Sequence, residues 1–225
     1  HPSETPMRRF RVLLLALGLA LAASPMPAAQ AAEPEQTAAA RAPVARLTDT
    51  LLATMKEADA LGFAGRYDKL APVLREVFDF RFMARLSLGP HWGKLTPDQQ
   101  DAFAAAFARL SITTFAARFD GYSGQHFAVD TPGPGPRGTL LVPTRLVRPD
   151  KEAVKISYLM RETERGWQAV DIYMKGSYSE IASRRSEYSS ILKNAGFATL
   201  LQRVRNKAEE IAGTHDHPWD GEEEG

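Results

Sequence analysis

Five histidines are the first side chains to weigh for chemistry, because an imidazole changes charge near neutrality and serves as acid, base or metal ligand. They do not cluster: they fall at His1, His91, His126, His215 and His217. His91 follows a helix stop and His126 lies in an edge-like strand. A general base needs a positioned partner, so both read as surface or structural. The run His215-Asp216-His217 lies in a loose tail that fixes no coordination geometry, and no metal site is expected there. Among carboxylates, Asp171 with Tyr173 is the one pair resembling the general base of an enolising site. By strand alternation Val170, Ile172 and Met174 take the opposite face, which places Asp171 on the solvated side. The cluster Arg184-Arg185-Ser186-Glu187 could meet an anionic group. Such a run more often forms a solvated helix face with weak local ion pairs. There is no Gly-rich phosphate loop, Gly-x-Ser-x-Gly elbow or His-Glu-x-x-His zinc motif. With no cysteine, thiolate nucleophiles, thiolate metal sites and disulfides are all excluded. No catalytic residue and no cofactor is expected.

Bulk composition narrows the function further. The 28 Lys and Arg against 27 Asp and Glu provide no basic field for a polyphosphate backbone, so no nucleic acid partner is expected. At the N-terminus Arg8, Arg9 and Arg11 precede the apolar run Val12–Ala23 and a small-residue stretch ending Ala29-Gln30-Ala31. That pattern reads as a cleavable signal peptide over residues 1–31, with Met7 the natural start and residues 1–6 an upstream extension. The run falls short of the about 20 apolar residues a membrane-spanning helix needs. Periplasmic localisation by the general secretory route is the expectation. Cleavage would remove three Arg and one Glu, moving the formal charge from +1 to −1.

The elements that must position these residues follow from periodicity and punctuation. Residues 32–42 are poor in large apolar groups and read as a flexible leader. A helix from Pro43 to about Leu61, a second over Tyr67–Val77 and a short third opened by Phe78-Asp79-Phe80 come next, with Gly62 and Gly89-Pro90 as stops. Thr96-Pro97-Asp98-Gln99 is a capping box. It starts a long amphipathic helix to Asp120, roughly 36 Å at about 1.5 Å per residue. Period-two patterning then predicts four strands at 125–130, 139–147, 153–162 and 167–174, joined as an antiparallel meander. Turns are expected at 132–136, 148–150 and 162–166, and Pro143 suggests a bulge or an edge position. Two helices, Tyr178–Lys193 and Phe197–Ala212, close the domain, and residues 213–225 read as a disordered acidic tail. The fold class is therefore α+β: helices with a four-stranded antiparallel meander, in one domain over 43–212.

The helical half holds Phe78, Phe80, Phe82, Trp92, Phe103, Phe107, Phe115 and Phe119. These rings can be plain core or the walls of an apolar pocket between helices and sheet. Composition alone leaves both open. The ordered set Phe78-Asp79-Phe80, Met83-Ala84-Arg85, Leu88-Gly89, Trp92, Thr96, Gln99 or Gln100, Phe103, Phe107, Leu110 and Thr114-Phe115 resembles the signature of the MlaC family, also called the toluene-tolerance family. Trp167, Val170, Ile172, Gly176-Ser177, Arg185, Gly196 and Leu200-Leu201 continue the likeness, which covers about residues 44–212. The run Lys175-Gly176 with Arg184-Arg185-Ser186-Glu187-Tyr188 is most similar to the branch associated with hopanoid biosynthesis, often named HpnM.

The resemblance implies a helical layer on a curved four-stranded antiparallel sheet, an NTF2-like, MlaC-like shape enclosing a cavity that takes acyl chains and leaves the headgroup outside. It implies a periplasmic carrier of phospholipid or hopanoid, free of covalent chemistry. Its partners would be an inner-membrane transporter of ABC/MCE or RND type and an outer-membrane lipoprotein complex. Expected lining is Phe78, Met83, Leu88, Trp92, Phe103, Phe107 and Phe115 from the helices, with Val154, Ile156, Tyr158, Val170 and Ile172 from the sheet. Arg185 falls on an arginine of the family's C-terminal helix and is a candidate headgroup or partner contact. Two alternatives stand beside this reading: an accessory transporter subunit with a fully packed interior, and an NTF2-like isomerase or dehydratase using Asp171 and Tyr173.

Overall fold

The computed structural model describes residues 34–215, so the expected signal peptide and the tail beyond His215 lie outside the described residues. Helix α1 spans Pro34–Lys56 and begins well before the expected Pro43. Residues 34–42 are thus helical rather than a flexible leader. Alanine is the best helix former, and Ala40, Pro43 and Val44 are buried against the fold. Arg41 ties this turn to the sheet by donating to the Val129 carbonyl at 2.9 Å.

Helix α2 (Ala58–Val77) is interrupted at Gly62, whose φ of 59° and ψ of −175° no helix accommodates. That conformation is essentially restricted to glycine, so the expected stop is a sharp bend. Arg66 on α2 is buried and donates to the carbonyls of Ala116 and Ala58 at 2.9 and 3.3 Å. It thereby satisfies a carbonyl left open in the last turn of the long helix. Helix α3 (Phe80–Leu88) is capped by Asp79, whose carboxylate accepts from the Phe82 amide at 3.0 Å. A 3-10 turn over Gly89–Lys94 leads to α4 (Pro97–Arg118). The capping box forms as the sequence predicts: Thr96 Oγ1 accepts from the Gln99 amide at 3.2 Å and Gln99 Oε1 accepts from the Thr96 amide at 3.0 Å.

The sheet has six strands rather than four: β1 (His126–Val129), β2 (Gly133–Pro134), β3 (Leu140–Arg148), β4 (Lys151–Thr163), β5 (Gly166–Met174) and β6 (Tyr178–Ser179). The order is β1-β3-β4-β5-β6, with β2 also paired to β3, and all pairings are antiparallel. The four expected strands are present. The two additional ones are two-residue pieces, too short for periodicity to register, and β2 lies inside the Pro-Gly stretch expected as a turn. Pro143 sits in β3 between the residues paired to β2 and those paired to β1. Its carbonyl accepts from Asp130 at 2.9 Å, so its missing N–H also faces the β1/β2 side, where one short strand ends and the other begins.

Along β4, Ile156, Tyr158 and Met160 face inward, paired with Met174, Ile172 and Ala169 of β5. The register steps between Leu159 and Met160, leaving Val170 as the extra residue of a bulge. Helix α5 (Glu180–His215) closes the fold and bends at Gly196 (φ 77°, ψ 175°), where the sequence places a break between two helices. It continues to His215, so residues 213–215 are helical rather than part of a disordered tail.

Candidate functional site

The Phe78-Asp79-Phe80 segment docks the helical layer onto the sheet. Phe78 bridges Ala169, and the Asp79 amide donates to the Ala169 carbonyl at 3.0 Å. Asp79 also accepts from Arg161 Nη2 at 2.8 Å, while the Arg161 guanidinium lies 3.8 Å from the centre of the Phe82 ring. Held from both sides, the segment turns Phe78 and Phe80 into the space between α3, α4 and the inner face of β4 and β5. There Phe78 stacks on Phe80 at 5.5 Å and meets Phe115 at 5.7 Å and Tyr158 at 6.0 Å. Phe115 stacks on Phe119 at 5.8 Å.

These rings wall a cavity of about 100 Å³ whose lining also includes Met83, Phe107, Ile156, Ile172 and Met174. Ser111 and Thr114 of α4 contribute the wall's hydroxyls, each donating to its own helix at 2.8 Å, to Phe107 and Leu110. Arg118, Glu180 and Arg184 lie on the more exposed side of the lining. Arg184 Nε donates to Glu180 at 2.9 Å. Burial alone would lower the Arg184 pKa, but Tyr188 and Glu180 beside it outweigh that and raise it, so it stays a cation. Arg118, at the end of α4, is exposed. The floor is different in kind. Tyr158 is fully buried, its phenol pKa is pushed up by burial, and its hydroxyl has no hydrogen-bond partner among the described residues.

Of the lining expected from sequence, Phe78, Met83, Phe107, Phe115, Ile156, Tyr158 and Ile172 lie on this cavity and five residues do not. Leu88 is buried core on α3. Trp92 sits in the 3-10 turn under the Arg81 guanidinium at 5.6 Å. Phe103 packs between α4 and α5 against Tyr188 (5.7 Å) and Phe197 (6.2 Å). Val154 packs partly buried against the core, and Val170 is displaced from the inner alternation by the bulge. Arg185 is exposed and lies over Gly89, where a Cβ would fall 2.6 Å from its guanidinium; its neighbour Arg184 is the arginine on the cavity. The lining also includes Phe80, Ser111, Thr114, Phe119, Met174, Arg118 and Glu180, which the sequence does not single out for it, while Arg184 belongs to the run the sequence marks as a possible contact for an anionic group. Phe80 and Phe119 were visible as rings of the helical half, whereas the rim of Arg118, Glu180 and Arg184 depends on how α5 crosses α4.

Asp171 requires a correction. It pairs with Leu159 on the face away from the cavity, yet it is only 6% exposed rather than solvated. The start of α5 covers it. Ser179 Oγ and the amides of Ile172 and Ile181 donate to its carboxylate, and Ser179 Oγ in turn accepts from Ala182. Burial raises its pKa against the lowering effect of those donors. Asp171 is thus a helix-capping group, and neither it nor Tyr173 lines the cavity. The enzyme alternative loses its geometry. The accessory-subunit alternative requires a fully packed interior, against which stands this cavity of about 100 Å³. Among the described residues there is no cluster that could hold a metal ion and no helix long and apolar enough to cross a membrane.

Helices closing an apolar cavity against the inner face of an antiparallel sheet define an α+β binding domain. Two comparisons place it further. A structure of a phospholipid-binding protein from Ralstonia solanacearum, solved in complex with a phospholipid, superposes with a TM-score of 0.68 at 21% identity, covering 77% of this chain and 98% of that one. That likeness establishes a shared fold. The family model described as MlaC protein matches residues 45–206. The chain belongs to the MlaC family.

Proposed function

We propose that this protein is a periplasmic phospholipid carrier that holds acyl chain in the cavity between α3, α4, β4 and β5 and leaves the headgroup at Arg118, Glu180 and Arg184. The observation that carries the reading is the cavity itself: stacked rings and aliphatic groups inside, charged groups only at one side. Each CH2 moved from water into such walls contributes about 0.8 kcal/mol, so chain burial supplies affinity while the rim needs only to tolerate a polar group. The Ralstonia fold relative, solved with phospholipid bound, supports the same assignment. Export rests on the Arg8-to-Ala31 signal pattern. A carrier working between membranes would exchange its cargo with an inner-membrane transporter of ABC/MCE or RND type and with an outer-membrane lipoprotein complex.

The finer assignment is to the hopanoid-associated branch, motivated by the Lys175-Gly176 and Arg184-to-Tyr188 runs. A rigid polycycle loses less conformational entropy on binding than an acyl chain but needs a wider, shorter space. Mass spectrometry of organic extracts from protein purified from the periplasm without detergent tests both. Glycerophospholipid would establish a phospholipid carrier and leave the branch assignment without support, a hopanoid would establish the branch, and reproducibly empty protein would overturn the carrier function.

A further inference from the structure

We infer that the Tyr158 hydroxyl is a cargo-reading group: it donates a hydrogen bond to an ester carbonyl oxygen of the bound lipid. Tyr158 is 0% exposed, lines the cavity and carries a buried hydroxyl with no hydrogen-bond partner among the described residues. Leaving a buried polar atom unpaired is unfavourable, and most such atoms in folded proteins are satisfied. A phenylalanine would fill the same space without that penalty, and the surrounding wall is already built from phenylalanines. Its position along the sheet indicates what it meets. Ile156 and Met174 pair next to the rim side, where Glu180 and Arg184 follow β6, and Tyr158 and Ile172 pair two residues further in. Two residues along a strand advance about 6.6 Å. In a glycerophospholipid the ester carbonyls follow the phosphate by the short glycerol unit. A phosphate at Arg118 and Arg184 therefore brings a carbonyl to the level of Tyr158, with hydrocarbon beyond it against Phe78 and Met83.

This inference rests on the phospholipid reading of the same cavity, and the test separates the two. Binding of a diester phosphatidylglycerol and of its dialkyl ether analogue, identical in headgroup and chain length but lacking carbonyls, is measured for the wild-type protein and for Tyr158→Phe. The expected result is a roughly five- to tenfold preference of the wild type for the diester, the size of one net hydrogen bond. In Tyr158→Phe that preference should disappear while ether-lipid affinity and thermal stability hold or rise. Equal wild-type affinity for both lipids, or a preference that survives in Tyr158→Phe, would overturn the role of the hydroxyl and leave the carrier reading intact. Failure of the wild type to bind either lipid would overturn both. The wild-type comparison changes only the ligand, so its outcome does not depend on how the variant folds.

Discussion

Ser111 is the residue at which the difference between cavity and core can be tested most directly. Its small side chain lines the cavity from α4, and its hydroxyl is already engaged with the Phe107 carbonyl of its own helix. Replacing it with phenylalanine places a ring in the space that acyl chain would occupy while removing only a local hydrogen bond that contributes little to a helix. Ser111→Phe is expected to fold with a stability lowered by the about 1 to 3 kcal/mol that overpacking costs, and to lose uptake of fluorescent phospholipid from vesicles by at least about tenfold, an affinity difference of about 1.4 kcal/mol. Undiminished uptake by the folded variant would remove this cavity as the lipid site. The same helix shows why sequence alone divides the aromatic set imperfectly. Phe103 and Phe107 are four apart on one helix face, yet Phe103 is captured by Tyr188 and Phe197 of α5 whereas Phe107 reaches the cavity. That separation is set by where a distant helix lands, which local spacing does not encode.

Elements were legible wherever a local rule determined them. The Thr96–Gln99 capping box, the Gly62 and Gly196 breaks and the four main strands all depend on a few adjacent residues. What was not legible arises from pairing between distant segments: β2 and β6 exist because β3 and β5 offer them an edge, and the Val170 bulge exists because β4 sets the register. Asp171 belongs to the second group, since its function as a cap depends on α5 arriving at the sheet edge. Its environment leads to a pH prediction. Burial, the largest influence, raises its folded pKa, and the donors from Ser179, Ile181 and Ile172 only partly offset that. A carboxyl whose folded pKa exceeds the unfolded value of about 3.9 holds its proton more tightly when folded. Its stabilising contribution is fully present below the unfolded pKa and is lost as pH rises through the folded one. Urea unfolding between about pH 3.9 and neutrality should therefore show wild-type stability declining relative to Asp171→Asn with increasing pH. A wild-type advantage that grew with pH would mean that the capping hydrogen bonds outweigh desolvation.

For the whole molecule, the size of the cavity sets the terms of lipid loading. At about 100 Å³ it is smaller than the ~150 Å³ apolar cavities that admit benzene, so even a single acyl chain requires the walls to separate. The separable walls are α3 and α4 on one side and β4 and β5 on the other, held by ring contacts such as Phe78–Phe115 at 5.7 Å and Phe78–Tyr158 at 6.0 Å. Met83 and Met174 on opposite walls can change rotamer at little cost and fill against whatever chain arrives. Loading thus exchanges protein–protein contacts for protein–lipid contacts, and only the difference between them appears as affinity. The proposed carrier function would benefit from that balance, because cargo held by a small net free energy can be passed on. The Asp79–Arg161 pair ties the start of α3 to β4 and the Asp171–Ser179 hydrogen bond ties the segment before α5 to β5, two contacts that opening of the proposed site would leave in place. Ligand that binds only the folded state raises stability by about 2.7 kcal/mol when its free concentration is 100-fold above its dissociation constant. At about 2 to 4 °C per kcal/mol for a domain of this size, delipidated protein should melt roughly 5 to 11 °C below the loaded form. Calorimetry before and after organic extraction, with recovery on adding back phospholipid, measures this shift. A melting temperature insensitive to lipid would mean that the walls do not open and that the apolar space is packing imperfection rather than a binding site.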